Sequence, residues 1–545
     1  MISITLCLVA ALALQTPSPA AAPSTLSTPA LADAYNFFIR GRVLEGQGDM
    51  AGAIAAHRQA LVLAPGVAEI HAELAGLYAR DGKGGEAVAE ADAALKIDPK
   101  NREAHRILGF VQAAMAEQGS PASQARLSAQ ALDHLEQAMA GGLHDPGLLL
   151  TLGRLEVDAG QNLKAADVLV AFLLDQPRHP EGLMLLAGAY DNMGRLAQAA
   201  TQLEELVSIQ PDLARAQTWL ADVYERAGRW SDAADRWAVL AKQTPRTMSY
   251  RTRRATALVN AGDAAGGRQV LLDATRDAPR DIATWYLLAQ TERRMGNAQG
   301  AEDAARRITE IDAADPRGPL SLAEARLARQ DYRGAVETLD PLYKALGQAP
   351  ASIGAFTLVC TALGAALQAA GDPDRAILVL EDAHQRDAAD DDLIFALATA
   401  YEKGAKYDRA ERLLRDRLAK DPGHAMTLNY LGYLLADHTQ KLDEAVGLIA
   451  RAIAAEPDNP SYLDSLGWAY FKQGKVPDAV SPMERAARAL PKASLVQSHL
   501  GEVYFQLKRY RDAADAWTRA LAGDRAEIDV AVVTQKRDRA RELAR

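Results

Sequence analysis

An alanine returns along this chain with a period of 34 residues. It stands at Ala53, Ala87, Ala131, Ala165, Ala199 and Ala233. Gly267 takes its place once, and it then continues at Ala301, Ala335, Ala376, Ala410, Ala445, Ala479 and Ala513. Ten of the 13 spacings are 34 residues, and the others are 44, 41 and 35. A period of this size describes one supersecondary unit that cannot bury its apolar face alone and stacks on its neighbours to do so. With 545 residues the chain is also too long for one ordinary core, which an array of repeats resolves.

Further positions share the rhythm. Twelve residues before the alanine stands a small residue, as at Gly41, Ala75, Gly153, Ala187, Ala221, Gly364, Gly467 and Gly501, and small side chains at both places let two helices approach closely. Tyrosine often follows three residues later, at Tyr78, Tyr190, Tyr224, Tyr401, Tyr470 and Tyr504. Proline comes twelve residues after the alanine, at Pro65, Pro99, Pro177, Pro211, Pro245, Pro279, Pro422, Pro457 and Pro491, where it stops a helix. Between the two helices lies Gly followed by a polar residue, as in Gly48-Asp49, Gly194-Arg195 and Gly474-Lys475. Helix, turn, helix, stop is therefore the unit. These residues and this period resemble the tetratricopeptide repeat family over residues 34 to 524. The resemblance implies an all-α, right-handed α-solenoid (superhelix) of about 14 helix-turn-helix units.

Repeats seven to ten depart most, with Gly267 for alanine and Ala313, Gly347 and Ala388 in place of proline. Two insertions interrupt the period, each a surface insertion or a functional loop. One, near 119–128, is expected to lengthen the turn inside repeat three. The other, 345–352, is expected to separate an N-terminal array over 34–344 (repeats one to nine) from a C-terminal array over 353–524 (repeats ten to fourteen). The tail 525–545, with Ile528, Val532 and Leu543 among many charges, reads as a capping helix over the last repeat.

At the N-terminus, Ile2 to Leu14 is an apolar run followed by a Pro, Ser and Ala-rich stretch from Thr16 to Pro29. That order reads as a signal peptide over 1–22 and a flexible linker over 23–33, although no Lys or Arg precedes the run. The run is too short for a membrane-spanning helix. The expectation is export to the periplasm; the alternative is a cytoplasmic or membrane-associated protein if the segment is not a cleaved signal. Membrane association is expected only indirectly, because Cys7 follows Leu6 where a lipoprotein signal needs a small residue.

Hydrophobic residues make up 49% of the chain but aromatics only 6%, which suits packed helices better than sheets. The net charge of −10 argues against nucleic acid as the main partner. Arg246, Arg251, Arg253 and Arg254 form the densest basic stretch and read as a solvated face. If the leader is removed, Cys360 remains as a lone thiol at a core-facing position. No metalloprotease, nucleophile-elbow, phosphate-loop or paired CxxC motif is present, and the histidines lack metal-ligand spacing. Asp390, Asp391 and Asp392 read as a helix start. The chain is therefore not expected to be an enzyme, and no cofactor or metal is expected.

What remains is a surface. In each first helix, the residue one place after the small position and the residue three places before it should line the concave groove. In repeats twelve to fourteen this selects Asn429, Tyr433, Asp464 and Trp468, with Tyr430, Phe471 and Lys472 at the edge, followed by Ser498, His499 and Glu502. Aromatic and Asn or Asp side chains together suit an extended peptide, with apolar contact for its side chains and hydrogen bonds for its backbone. Trp468 is either open to such a ligand or packed on the neighbouring repeat. Trp219, Trp237, Trp285 and Trp517 are explained by packing or its margin.

A narrower resemblance lies in the C-terminal third. LNYLGYLLAD from Leu428, LDEAVGLIARAIAAEPDNPSYLDSLGWAYFKQGK from Leu442 and HLGEVYFQLKRYRDAADAW from His499 resemble envelope tetratricopeptide proteins of Gram-negative bacteria. One such group docks a periplasmic C-terminal-processing protease and delivers cell-wall hydrolases to it. The expected function is a periplasmic scaffold or adaptor that binds proteins or peptides in the groove, a protease and its envelope substrates among them. The alternative is a structural component of an export or polysaccharide-secretion assembly.

Overall fold

A computed structural model of the chain describes residues 28–142, 144–348, 353–438, 441–525 and 527–545. The signal segment 1–22 and Cys7 lie outside the described residues. Within them the chain forms 29 helices and no strand. The helices come in pairs, one pair per repeat, with one further helix at the C-terminal end.

The periodic prolines act as expected. Second helices end at Leu63, Ile97, Asp175, Ile209, Gln243, Asp277, Lys420, Ala455 and Ala489, each two residues before its proline, because the residue preceding proline is pushed out of the helical region. Repeats eight and ten, with Ala313 and Ala388 there instead, stop at the equivalent Ile311 and Arg386. The turn inside most repeats is a glycine at positive φ, such as Gly194 at 69° and Gly474 at 77°. Repeats nine, eleven and fourteen lack a glycine at this place. Gln330 (61°), Ala405 (55°) and Lys508 (62°) hold the same left-handed conformation there.

The small residue of the first helix has a steric cause. The side chain sixteen positions later, one turn beyond the periodic alanine, lies directly against it. A Cβ on Gly153 would come within 2.6 Å of Leu169, one on Gly467 within 2.4 Å of Met483, and one on Gly501 within 2.5 Å of Trp517. Where the first position is alanine, the sixteenth residue is buried all the same, as are Leu203 and Trp237. Burial of each of these large side chains contributes about 1.5–3 kcal/mol.

The chain divides into two compact bodies, Met1–Ala261 and Gly262–Arg545. The boundary falls between the two helices of repeat seven, Met248–Asn260 and Ala264–Asp277. The division expected from the repeat pattern lies elsewhere, at the 345–352 insertion. The helices flanking that insertion, Tyr332–Gln348 and Ile353–Ala369, share one core containing Leu339, Phe356 and Leu363, and Tyr343 stacks on Phe356 at 5.7 Å. Within the insertion, 349–352 lie outside the described residues. The 119–128 insertion is also not a longer turn. Pro121 opens the 20-residue helix Pro121–Ala140, because proline at a first helical position carries the right φ and loses no needed donor. At the other end, the first helix of repeat one starts at Thr28, inside the stretch read as linker, with Ala34 buried and Phe37 and Phe38 packed against Ala60, Ala64 and Ile70.

The C-terminal helix Val530–Leu543 covers repeat fourteen with Val533 and Ala540, while Val532 and Leu543 remain exposed. Cys360 is fully buried in the core of the second body, and burial, followed by the nearby Asp382, pushes its thiol up to about 12. Arg253 of the basic stretch is paired with Asp222 and Glu225 and lies over the Trp237 ring. Asp390 caps the first helix of repeat eleven (Asp391–Lys403) by accepting the Leu393 N–H at 2.8 Å. No described helix is long and apolar enough to cross a membrane.

Candidate functional site

In the second body, the first helices of repeats eleven to fourteen, Asp391–Lys403, Ala425–His438, Pro460–Lys472 and Ser494–Gln506, wall a cavity of about 620 Å³. The loop after repeat fourteen closes one side. Ser494 fixes that loop by donating its hydroxyl to Ala520 O and its N–H to Asp524 Oδ1, while the Arg525 N–H donates to Ser494 Oγ at 2.8 Å.

Three of the expected groove residues, Asn429, Tyr433 and Asp464, line this cavity together with Tyr430. The Tyr430 hydroxyl bonds Thr399 Oγ1 at 2.9 Å and Glu402 Oε2 at 3.1 Å, which fixes the ring as a wall. Burial, and after it nearby carboxylates, raises both phenols well above the usual tyrosine range, so they remain neutral donors. Asp464 is only 6% exposed, and its Oδ2 accepts from His499 Nδ1 at 2.9 Å.

The remaining expected residues do not line the cavity. Trp468 stands behind it as a half-buried plate. One stacking neighbour is His499, with ring centroids 4.0 Å apart and planes inclined by 16°, and another is Phe471 at 5.1 Å. Its indole N–H donates to Asp437 Oδ1 of the preceding repeat at 2.9 Å. Lys472 lies 5.0 Å over the indole and pairs with the same Asp437 oxygen at 2.8 Å. Burial opposes ionisation of Asp437, but the bonds from Lys472 and Trp468 outweigh it and hold the carboxyl below its usual range. Glu502 is paired with Lys536 of the C-terminal helix. Ser498 is buried. The chain of contacts Asp464, His499, Trp468, Asp437, Lys472 thus joins the cavity wall to the exposed edge.

Sequence reasoning missed Phe395 and Asp392 from repeat eleven, Met426 from repeat twelve, and Asp524 and Glu527 from the loop. The three-before rule, applied one repeat earlier from Ala398, selects Phe395. The loop residues follow no repeat and leave no periodic signal. Among the described residues, no group of His, Cys, Asp and Glu is placed to hold a metal ion.

Two family models, both described as tetratricopeptide repeat, match the chain. One matches residues 44–109 and 367–428, the other 150–212, 189–245, 252–318 and 465–543, so that together they take in more than half of it. The TPR repeat-containing protein PA4667 of Pseudomonas aeruginosa is 40% identical over 110 residues, a match that spans 20% of this chain and 18% of that protein. Solved structures to which the chain is similar include yeast Tom70 (TM-score 0.39, 14% identity, covering 94% of this chain and 96% of that one) and the APC/C hetero-tetramer Cut9-Hcn1 (TM-score 0.35, 13% identity, covering 93% and 96%).

Proposed function

Since the chain belongs to the tetratricopeptide repeat family, we propose that it is a scaffold that holds protein partners, with the cavity of repeats eleven to fourteen as the docking site. The observation that carries this reading is the convergence of four first helices on one cavity walled by Tyr430, Tyr433, Asn429 and Asp464. Aromatic faces and unengaged acceptors in an open groove suit an extended polypeptide, whose side chains need apolar contact and whose N–H groups need acceptors. Catalysis plays no part in this role.

The reading extends to place and partner. The apolar run Ile2 to Leu14 and its Pro, Ser and Ala-rich continuation support export to the periplasm. The likeness of the Leu428, Leu442 and His499 stretches to envelope adaptors supports a processing protease and its substrates as partners.

Photo-cross-linking in cells tests the docking site. A benzoylphenylalanine at Met426, 53% exposed on the cavity wall, is expected to trap a defined polypeptide, whereas the same probe at Leu174 of repeat four, also exposed, is not. Equal, diffuse labelling from both positions would contradict the reading.

A further inference from the structure

Among the described side chains of the cavity wall, the buried polar atoms without a hydrogen-bond partner are both acceptors, Asp464 Oδ1 and Asn429 Oδ1. Asp464 is more than nine-tenths buried, and its other oxygen is already engaged by His499. A buried carboxylate oxygen facing a cavity with no donor is costly unless something supplies one. No described Lys or Arg lines the cavity, while Asp392 and Glu527 add negative charge to its rim. Asp524 differs from these two, since its carboxylate already accepts the Ser494 N–H.

A ligand that satisfies this wall is a cation with several N–H donors. An ammonium carries three and a guanidinium five, enough for both orphan oxygens at once. The Tyr430 and Tyr433 rings beside them supply faces to which such a cation is attracted. The cavity, about 620 Å³ and open along four repeats, is far larger than one basic side chain, so a neighbouring stretch of polypeptide fits with it. We propose that the cavity is a subsite for a lysine or arginine side chain of an extended partner segment, with Asp464 as its counter-ion and Asn429 as a second acceptor. This rests on the docking reading and adds the chemistry of the docked segment.

The test uses the full chain and fluorescein-labelled nonapeptide pools, degenerate except at a central lysine, arginine or norleucine, read by fluorescence anisotropy. The lysine and arginine pools are expected to bind about tenfold or more tighter than the norleucine pool, and Asp464→Asn is expected to erase that difference. Asn429→Asp, which adds a carboxylate without removing the His499 contact, is expected to strengthen the lysine pool. Equal binding of all three pools would overturn the proposal, as would an unchanged preference in both variants. Cadaverine binding as tightly as the lysine pool, in a manner dependent on Asp464, would also overturn it in favour of a small amine. Cross-linking from Met426 separates the two levels: if it persists while the pools bind alike, docking stands and the basic subsite falls. If the chain carrying the Met426 probe and no other change gives no defined cross-link, the docking reading falls.

Discussion

Gly501 lies so close beneath Trp517 that a methyl group on its α-carbon would come within 2.5 Å of the indole Nε1. The pair sits sixteen residues apart, at the register in which Gly153 meets Leu169 and Gly467 meets Met483. Gly501→Ala is expected to cost the C-terminal repeats about 1–3 kcal/mol, the usual penalty for overpacking a filled core. Trp517→Leu in the same chain should recover part of it, so that the two changes are not additive. Urea denaturation followed by hydrogen exchange in repeats thirteen and fourteen measures both, and additive losses would contradict the contact.

Ala405 holds a φ of 55° in a turn where most repeats have glycine. A left-handed alanine is strained by about 1–2 kcal/mol, and glycine gives back about 0.5–1 kcal/mol through the greater freedom of the unfolded chain. Ala405→Gly is therefore expected to stabilise the second body by roughly 0.5 kcal/mol, seen as a higher unfolding temperature. A lower one would show that the turn relaxes in solution.

Tyr504 donates its hydroxyl to Glu484 at 2.7 Å, and Arg509 lies over its ring at 4.2 Å. The same trio recurs as Tyr224, Glu204 and Arg229, and as Tyr401, Glu381 and Arg409. Burial first, then the Glu484 bond, raises the Tyr504 phenol from 10.0 to about 12. The folded chain thus keeps a proton that the unfolded chain releases, so this contribution is full below pH 10 and is lost as pH rises towards 12. Tyr504→Phe should lose about 1 kcal/mol at neutral pH and show a shallower decline across that window. Parallel alkaline profiles would contradict it.

Glu156 is 1% exposed in the first body, and its Oε2 has no partner. Burial, and after it Glu136, raises its carboxyl from 4.5 to about 7. A raised acid favours the folded state while protonated, so stability should fall as pH rises from 4.5 through about 7. Glu156→Gln, which keeps the shape without the charge, is expected to flatten that part of the profile and to unfold at a higher temperature at pH 8. Thermal scans from pH 4 to 8 decide it; superimposable profiles would place a counter-charge beside Glu156.

The repeats were legible because their signals lie within one repeat: a small residue, an alanine twelve places on and a proline after another twelve. The turns at Gln330, Ala405 and Lys508 were not, since packing on both sides forces a left-handed backbone that these residue types do not announce. The 345–352 insertion looked like a boundary in sequence, yet Leu339 and Phe356 share a core across it. The facing rule put Asn429, Tyr433, Asp464 and Trp468 on one surface of their helices. Which of them stay open is decided by partners about one repeat away, Asp437 for Trp468 and His499 for Asp464, and no pattern within a single helix contains that information.

The position of a bound partner tests the holding site most directly. Hydrogen exchange on the full chain, alone and with the polypeptide trapped from Met426, should show protection concentrated in 425–438, 460–472 and 494–506 and in the loop around Asp524. The paired second helices, 442–455, 476–489 and 510–522, should be unaffected. Protection confined to those second helices, or to the first body, would place the partner elsewhere and contradict the cavity as the holding site.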